Sequence, residues 1–155
     1  MVTTVPGITV VAVDEKGYCY LIREYGYALN RVTLKLPAGA IDAGETPLGT
    51  AKRECLEEVG LKSRKWHFLG RVNYYSMTLN TAEYLFLAKD TEEIPHARAE
   101  EDKKLLQIRR IPFSQVVRFA LSGKIIHAES IAAILRADYY LKNKKYARSK
   151  KRSRN

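Results

Sequence analysis

Residues 46–59 (TPLGTAKRECLEEV) constrain this chain more than any other segment. Thr46-Pro47 is a helix start, a hydroxyl N-cap followed by proline at the first helical position, and Gly60 supplies the C-cap. At about 100° per residue, Leu48, Ala51, Cys55 and Val59 fall within an arc of roughly 80°, which predicts a buried stripe. Glu54, Glu57 and Glu58 occupy a separate arc of roughly 100° on the same projection. Three carboxylates at i, i+3 and i+4 repel one another, and near a helix C-terminus they meet the unfavourable end of the dipole. A helix serving only the fold would avoid both costs. A bound divalent cation removes both, and Mg²⁺ takes carboxylates together with water and phosphate oxygens.

The flanking residues fit such a site. Pro37-Ala38-Gly39 can bring backbone close to the helix, so that the Ala38 carbonyl points at the same metal. Glu45 precedes the helix and Arg53 lies on its flank, where a guanidinium can hold a carboxylate by two parallel hydrogen bonds.

The rest of the chain reads as a mixed α/β domain. Residues 8–13 (ITVVAV) form a β-branched run suited to a buried strand, and residues 14–17 a turn. Residues 18–23 and 33–36 are predicted strands, and residues 38–45, with two glycines, a loop. Residues 66–75 and 82–88 read as two antiparallel strands, 90–104 as a polar loop, and 105–111 as a strand. Residues 113–122 and 128–141 read as helices. This order implies a mixed sheet with helices on its faces. No repeat or linker divides the chain, so residues 1–141 are read as a single domain.

Residues 142–155 (KNKKYARSKKRSRN) carry eight Lys/Arg and no acid. Removing those eight charges from the formal net charge of +10 leaves +2 for the remainder. Such a run cannot bury enough apolar surface to fold alone, so a flexible basic tail or a frayed helix end is expected. Its alternatives are contact with RNA, DNA or another polyanion, and a solvated segment without a specific partner; the second is preferred. No apolar run reaches the ~18–20 residues of a membrane span, and no positive charge precedes the first apolar stretch as in a secretory signal. Cys19 and Cys55, the only cysteines, are read as reduced thiols. A cytoplasmic location follows as the expectation.

Gly39, five residues, Glu45, seven residues, then Arg53-Glu54-Cys55-Leu56-Glu57-Glu58-Val59-Gly60-Leu61 resembles the Nudix box. Every fixed charged and glycine position matches across the 23 residues. The one departure is Cys55 at an aliphatic position, where cysteine behaves as a small hydrophobe. The resemblance implies the Nudix fold, an α/β/α sandwich around a mixed central sheet. It implies Mg²⁺, with Mn²⁺ as a substitute, and hydrolysis of a nucleoside diphosphate linked to another group. Carried over by position, the metal ligands are Ala38 through its carbonyl, Glu54, Glu57 and Glu58. The catalytic set is Glu57, Glu58, Arg53 and Glu101, with Arg53 and Glu45 forming the supporting shell.

Beyond the box, residues 36–45 (LPAGAIDAGE) and the pattern across residues 108–135 are similar to the ADP-ribose and nucleoside-diphosphate-sugar pyrophosphatase branch. The likeness spans roughly residues 7–141. It implies a small-molecule substrate such as ADP-ribose or a related sugar nucleotide, cut to a nucleoside monophosphate and a sugar phosphate. The chain departs from that branch at Lys35, near Gly26 and at Ser76-Met77-Thr78, and has little before Ile8 with which to build the branch's usual homodimer. Dinucleoside polyphosphates, NADH and RNA caps remain alternative substrates, and a Nudix-fold module that binds nucleotides without turnover ranks last. In this branch the base comes from an acidic loop, and among Glu100, Glu101 and Asp102 the preferred candidate is Glu101. Tyr25, Tyr27, Tyr74 and Tyr75 are candidates to stack on a purine, with ordinary packing preferred for at least two. Met77 or Glu83 is expected at the mouth. His67, His96 and His127 have no ligand spacing.

Overall fold

The structure is a computed structural model that describes residues 2–75, 79–98, 100 and 106–152. The strands are β1 (Val2–Thr3), β2 (Gly7–Val13), β3 (Tyr18–Gly26), β4 (Arg31–Lys35), β5 (Ala38–Ala40), β6 (Leu61–Lys62), β7 (Lys65–Tyr75), β8 (Leu79–Lys89), β9 (Glu92–Glu93) and β10 (Gln107–Pro112). The helices are α1 (Pro47–Val59), α2 (Phe113–Ser122) and α3 (Ala128–Arg152). Met77, Glu101 and Asp102 lie outside the described residues.

Every residue of β2 is buried, because both faces of this strand are covered. Along one edge it runs parallel to β8, from Gly7 opposite Glu83 to Val13 opposite Lys89. On the other edge it is antiparallel to β3 and β5, so the sheet is mixed as expected. Alternation sorts the side chains. Ile8, Val10 and Ala12 pack with Tyr20, Ile22 and Phe86 beneath Ala51, Cys55 and Val59 of α1. Val11 and Val13 pack with Leu21, Leu85 and Leu87 against Phe113, Val116, Ala133, Ile134 and Ala137 of α2 and α3. The result is an α/β/α sandwich.

β2 and β3 meet only at Val13 and Cys19 and then splay apart. The chain returns through the gap. β4 pairs with β3 from Ile22–Lys35 to Gly26–Arg31, and β5 pairs with β2 through Ala38, Gly39 and Ala40. Between them the Pro37 carbonyl accepts from the Val10 N–H at 2.9 Å. The loop expected over residues 38–45 therefore begins as a strand. The buried edge of β2 needs backbone partners, a demand that local composition does not reveal.

A second correction concerns Leu48, which is 36% exposed and outside the core. The buried side of α1 consists of Thr50, Ala51, Cys55, Glu58 and Val59. Periodicity sets the angle around a helix but not how far along its axis the sheet extends. The polar segment after Lys89 also contributes a strand, β9, which pairs with β6. The last helix continues beyond residue 141 to Arg152. Cys19 and Cys55 are free and buried, and burial pushes both thiols up to about 12. Among the described residues no helix is long and apolar enough to cross a membrane.

Helix α1 starts and stops as its sequence predicts. Thr46 Oγ1 accepts from the Gly49 N–H at 3.0 Å, and Gly60 ends the helix in the left-handed region at φ 71°. Thr46→Ala removes that cap and is expected to lower stability by about 1 kcal/mol, as measured by urea unfolding.

Candidate active site

The acidic face of α1 turns toward β5, and the contact leaves no space for a side chain at residue 39. A Cβ added to Gly39 would lie 2.3 Å from Glu54 Oε1 and 2.7 Å from its Cγ. The neighbouring Ala38 N–H donates to Glu58 Oε1 at 3.2 Å. Backbone thus reaches the two carboxylates because residues 38 and 39 carry little or no side chain.

Glu58 is 7% exposed, and the Glu54 side chain is 14% exposed. Burial raises both carboxyls. Glu58 is pushed up to about 8, first by desolvation and then by the charge of Glu54, against the Ala38 N–H and Lys35. Glu54 is raised by desolvation, opposed chiefly by Arg53. The charge of Glu54, one turn away on the helix, adds to the desolvation that holds Glu58 up.

Arg53 organises the remainder. Its Nε donates to Glu45 Oε1 at 2.8 Å and its Nη2 to Glu45 Oε2 at 3.0 Å, the two-pronged pairing expected from the sequence. Nη1 donates to Glu54 Oε1 at 2.8 Å and to Glu57 Oε2 at 3.2 Å. Thr50 Oγ1 also donates to Glu45, at 2.6 Å. With Arg53 and Thr50 as donors, Glu45 is held down to about 2.

Among the described residues, no three His, Cys, Asp or Glu side chains stand in a metal-holding arrangement. Arg53 Nη1 holds Glu54 and Glu57 toward itself. The donor chemistry nevertheless fits a hard divalent cation: all oxygen, anionic, and clustered on one helix face beside backbone. Glu57, 43% exposed at its side chain, has room to turn from Arg53.

The structure therefore brings together Ala38, Gly39, Glu45, Arg53, Glu54, Glu57 and Glu58. The contact formed by Ala38 is through its N–H. Tyr25 and Tyr27 are exposed and meet edge to face at 5.2 Å. Tyr74 donates to Glu129 Oε2 at 2.8 Å. Glu83 does not line a mouth: it is 8% exposed, accepts from Thr9 Oγ1 at 2.7 Å and lies against Gly7. By alternation with Leu85 and Leu87 it faces α3, and burial raises it to about 6. His67 stacks on Tyr140, and His127 bonds to Thr33.

Two contributors were not visible in the sequence. Arg98 Nε donates to the Glu58 carbonyl at 2.8 Å and Nη2 to the Leu106 carbonyl at 2.7 Å, fastening the segment after β9 to the end of α1. Lys35 pairs with Glu24 and lowers Glu58 by its charge. No local pattern signals either interaction. A concavity of about 710 Å³ beside α1 is lined by Arg53, Leu56, Leu61, Trp66 and Ile94, and Glu54 and Glu58 are not in its lining.

The fold that carries this site has a known counterpart. The crystal structure of an ADP compounds hydrolase superposes with a TM-score of 0.77 at 23% identity, covering 90% of this chain and 74% of that one, a likeness of fold. The NUDIX domain profile matches residues 3–134, and the chain belongs to that family. An ADP-ribose pyrophosphatase of Mycobacterium tuberculosis is 30% identical over 129 residues, 83% of this chain and 62% of that protein. An ADP-ribose pyrophosphatase of Bacillus subtilis is 24% identical over 133 residues, 83% and 70% respectively. A methanol dehydrogenase activator of Bacillus methanolicus is 21% identical over 130 residues, again 83% and 70%. The chain thus spans less than two thirds of the length of its Mycobacterium relative.

Two outcomes follow. Gly39→Ala is expected to displace the Glu54 carboxylate and weaken Mn²⁺ binding about 10- to 100-fold, the scale seen when residues supporting a metal ligand are removed, as read by calorimetry. Glu45 has a depressed folded-state value, so its stabilisation is present above its ordinary 4.5 and lost as pH falls toward about 2. In urea unfolding, the difference between wild type and Glu45→Gln should be full at pH 6 and shrink across that window. A constant difference would contradict the ion pair.

Proposed function

We propose that this chain is a Mg²⁺-dependent pyrophosphohydrolase that cuts the diphosphate bond of ADP-ribose or a related nucleoside-diphosphate sugar. The observation that carries the reading is the Glu54–Glu58 pair, buried side by side against Gly39 and Ala38. Burial raises both carboxyls, and a divalent cation would offset the cost of ionising them. The two ADP-ribose pyrophosphatases among the relatives support the substrate class.

In this reading Glu54 and Glu58 are the principal cation ligands, and Glu57 joins them or positions water once released from Arg53. The Ala38 carbonyl completes the protein ligands. A bound divalent cation neutralises diphosphate charge and lowers the pKa of coordinated water. Arg53 and Glu45 hold the glutamate face in register and do not touch substrate. Glu101 is the candidate base by its place in the acidic run at residues 100–102. Water oxygen bonds to one phosphorus, the bridging P–O bond breaks, and the products are a nucleoside monophosphate and a sugar phosphate. Mn²⁺ is expected to substitute for Mg²⁺.

A second reading keeps this chemistry and changes the substrate to a capped RNA. It is favoured by the basic residues 142–155, eight cations without an acid.

The test is a panel of ADP-ribose, other sugar nucleotides, NADH, dinucleoside polyphosphates and capped RNA with Mg²⁺, following monophosphate release. Glu58→Gln should cut the rate more than ~10²-fold by removing an anionic ligand from a charge-stabilised transition state. Equal rates in both proteins would sink the metal assignment.

A further inference from the structure

Where α2 ends, the face of the sheet it covers continues uncovered, and cations, a tyrosine and the aliphatic Val32 stand on it. Alternation sets Arg23 and Tyr25 of β3 on the same face as Leu21, with Leu34 opposite Arg23 and Val32 opposite Tyr25 on β4. On β10, Gln107 stands opposite Arg23 and Arg109 opposite Leu21. Arg23, Val32, Leu34 and Arg109 line a concavity of about 360 Å³ with Phe119 and Lys124, and among the described residues no acid lines it.

Among the described residues the three cations are not neutralised. Arg23 Nη1 and Arg109 Nη2 both donate to one neutral acceptor, Gln107 Oε1, at 3.0 and 3.2 Å. Two guanidinium groups are thereby held side by side without a carboxylate. Lys124 Nζ lies 4.2 Å from the centroid of the Phe119 ring. Among the described residues none of the three has an acidic partner, whereas Lys35 on the opposite face pairs with Glu24, and Arg110 pairs with Asp14. Tyr25 is 44% exposed and Tyr27 87% exposed, continuing the cationic strip with aromatic rings. From residue 21 to residue 25 of β3 the strip runs about 13 Å at ~3.3 Å per residue, longer than a single phosphate requires.

We infer that this open sheet face binds single-stranded nucleic acid, with phosphates on Arg23, Arg109 and Lys124 and bases stacked on Tyr25 and Tyr27. Cations that track a backbone beside aromatic rings are the two elements such binding needs. The surface lies on the α2 side of the sheet, opposite α1 and its glutamates. The basic residues 142–155 add long-range attraction for the same polyanion.

The test is fluorescence anisotropy of a 5′-labelled 12-nucleotide oligouridylate with the full chain across a salt series. The triple variant R23Q/R109Q/K124Q should bind at least tenfold more weakly. Its dependence of log affinity on log salt should fall by about two, at ~0.7 for each phosphate no longer neutralised. Tyr25→Ala should weaken binding without changing that slope, and Lys124→Glu alone should weaken it in a protein that keeps its melting temperature. ADP-ribose hydrolysis should be unchanged in the triple variant and in Lys124→Glu. No binding by wild type at micromolar concentration would overturn the inference. So would equal affinity and slope in the triple variant, which would assign binding to residues 142–155. Displacement of the RNA by AMP at equal phosphate concentration would also overturn it, marking a mononucleotide site.

Discussion

Glu54 and Glu58 sit one helical turn apart, mostly withdrawn from water, with the backbone of Ala38 and Gly39 against them. Burial disfavours the ionised form of each, and the charge of Glu54 further disfavours that of Glu58. The surrounding residues are arranged to hold this frustrated pair in place. Gly39 must lack a side chain, Ala51, Cys55 and Val59 must anchor the helix to the sheet, and Arg53 must collect Glu45, Glu54 and Glu57 on one guanidinium. Arg98 closes the lower end by donating to the Glu58 carbonyl. A site of this kind stores an unmet demand for positive charge, which a divalent cation can meet and which a purely structural helix would have no reason to keep.

The fork between β2 and β3 makes that arrangement possible. Had the two strands paired along their length, residues 31–40 would have had no place in the sheet. Because they part after Val13 and Cys19, β4 and β5 enter from one end, and Gly39 is delivered to the face on which α1 rests. The same fork leaves the far ends of β3 and β4 beyond the reach of α2, where Arg23, Tyr25 and Val32 remain open. One topological event thus separates an acidic site on one face from a cationic surface on the other.

Much of the local structure was legible because its signals are short in range. The cap at Thr46, the stop at Gly60, the acidic arc and the Arg53–Glu45 pairing all depend on residues within one helix and the turn before it. The misreadings share a cause. Leu48 has the right angle for the core but lies beyond its axial extent. Residues 38–40 have loop composition but answer a pairing demand set by β2, about 30 positions earlier in the chain. Glu83 carries a charge that suggests a surface, yet Thr9 and the space over Gly7 hold it inside.

By itself the sequence determined the family, the mixed α/β layering and the helix that gathers the glutamates, since periodicity, capping and a spaced motif are properties of neighbours along the chain. The tertiary structure decided which backbone meets those glutamates, that Glu58 is more deeply buried than Glu57, and that Arg98 and Lys35 reach Glu58 from distant segments. It also decided that Arg23, Arg109 and Lys124 share one surface, with no acid between them among the described residues. These outcomes depend on strand register and on how elements stack, and neither is encoded in the residues next to the site.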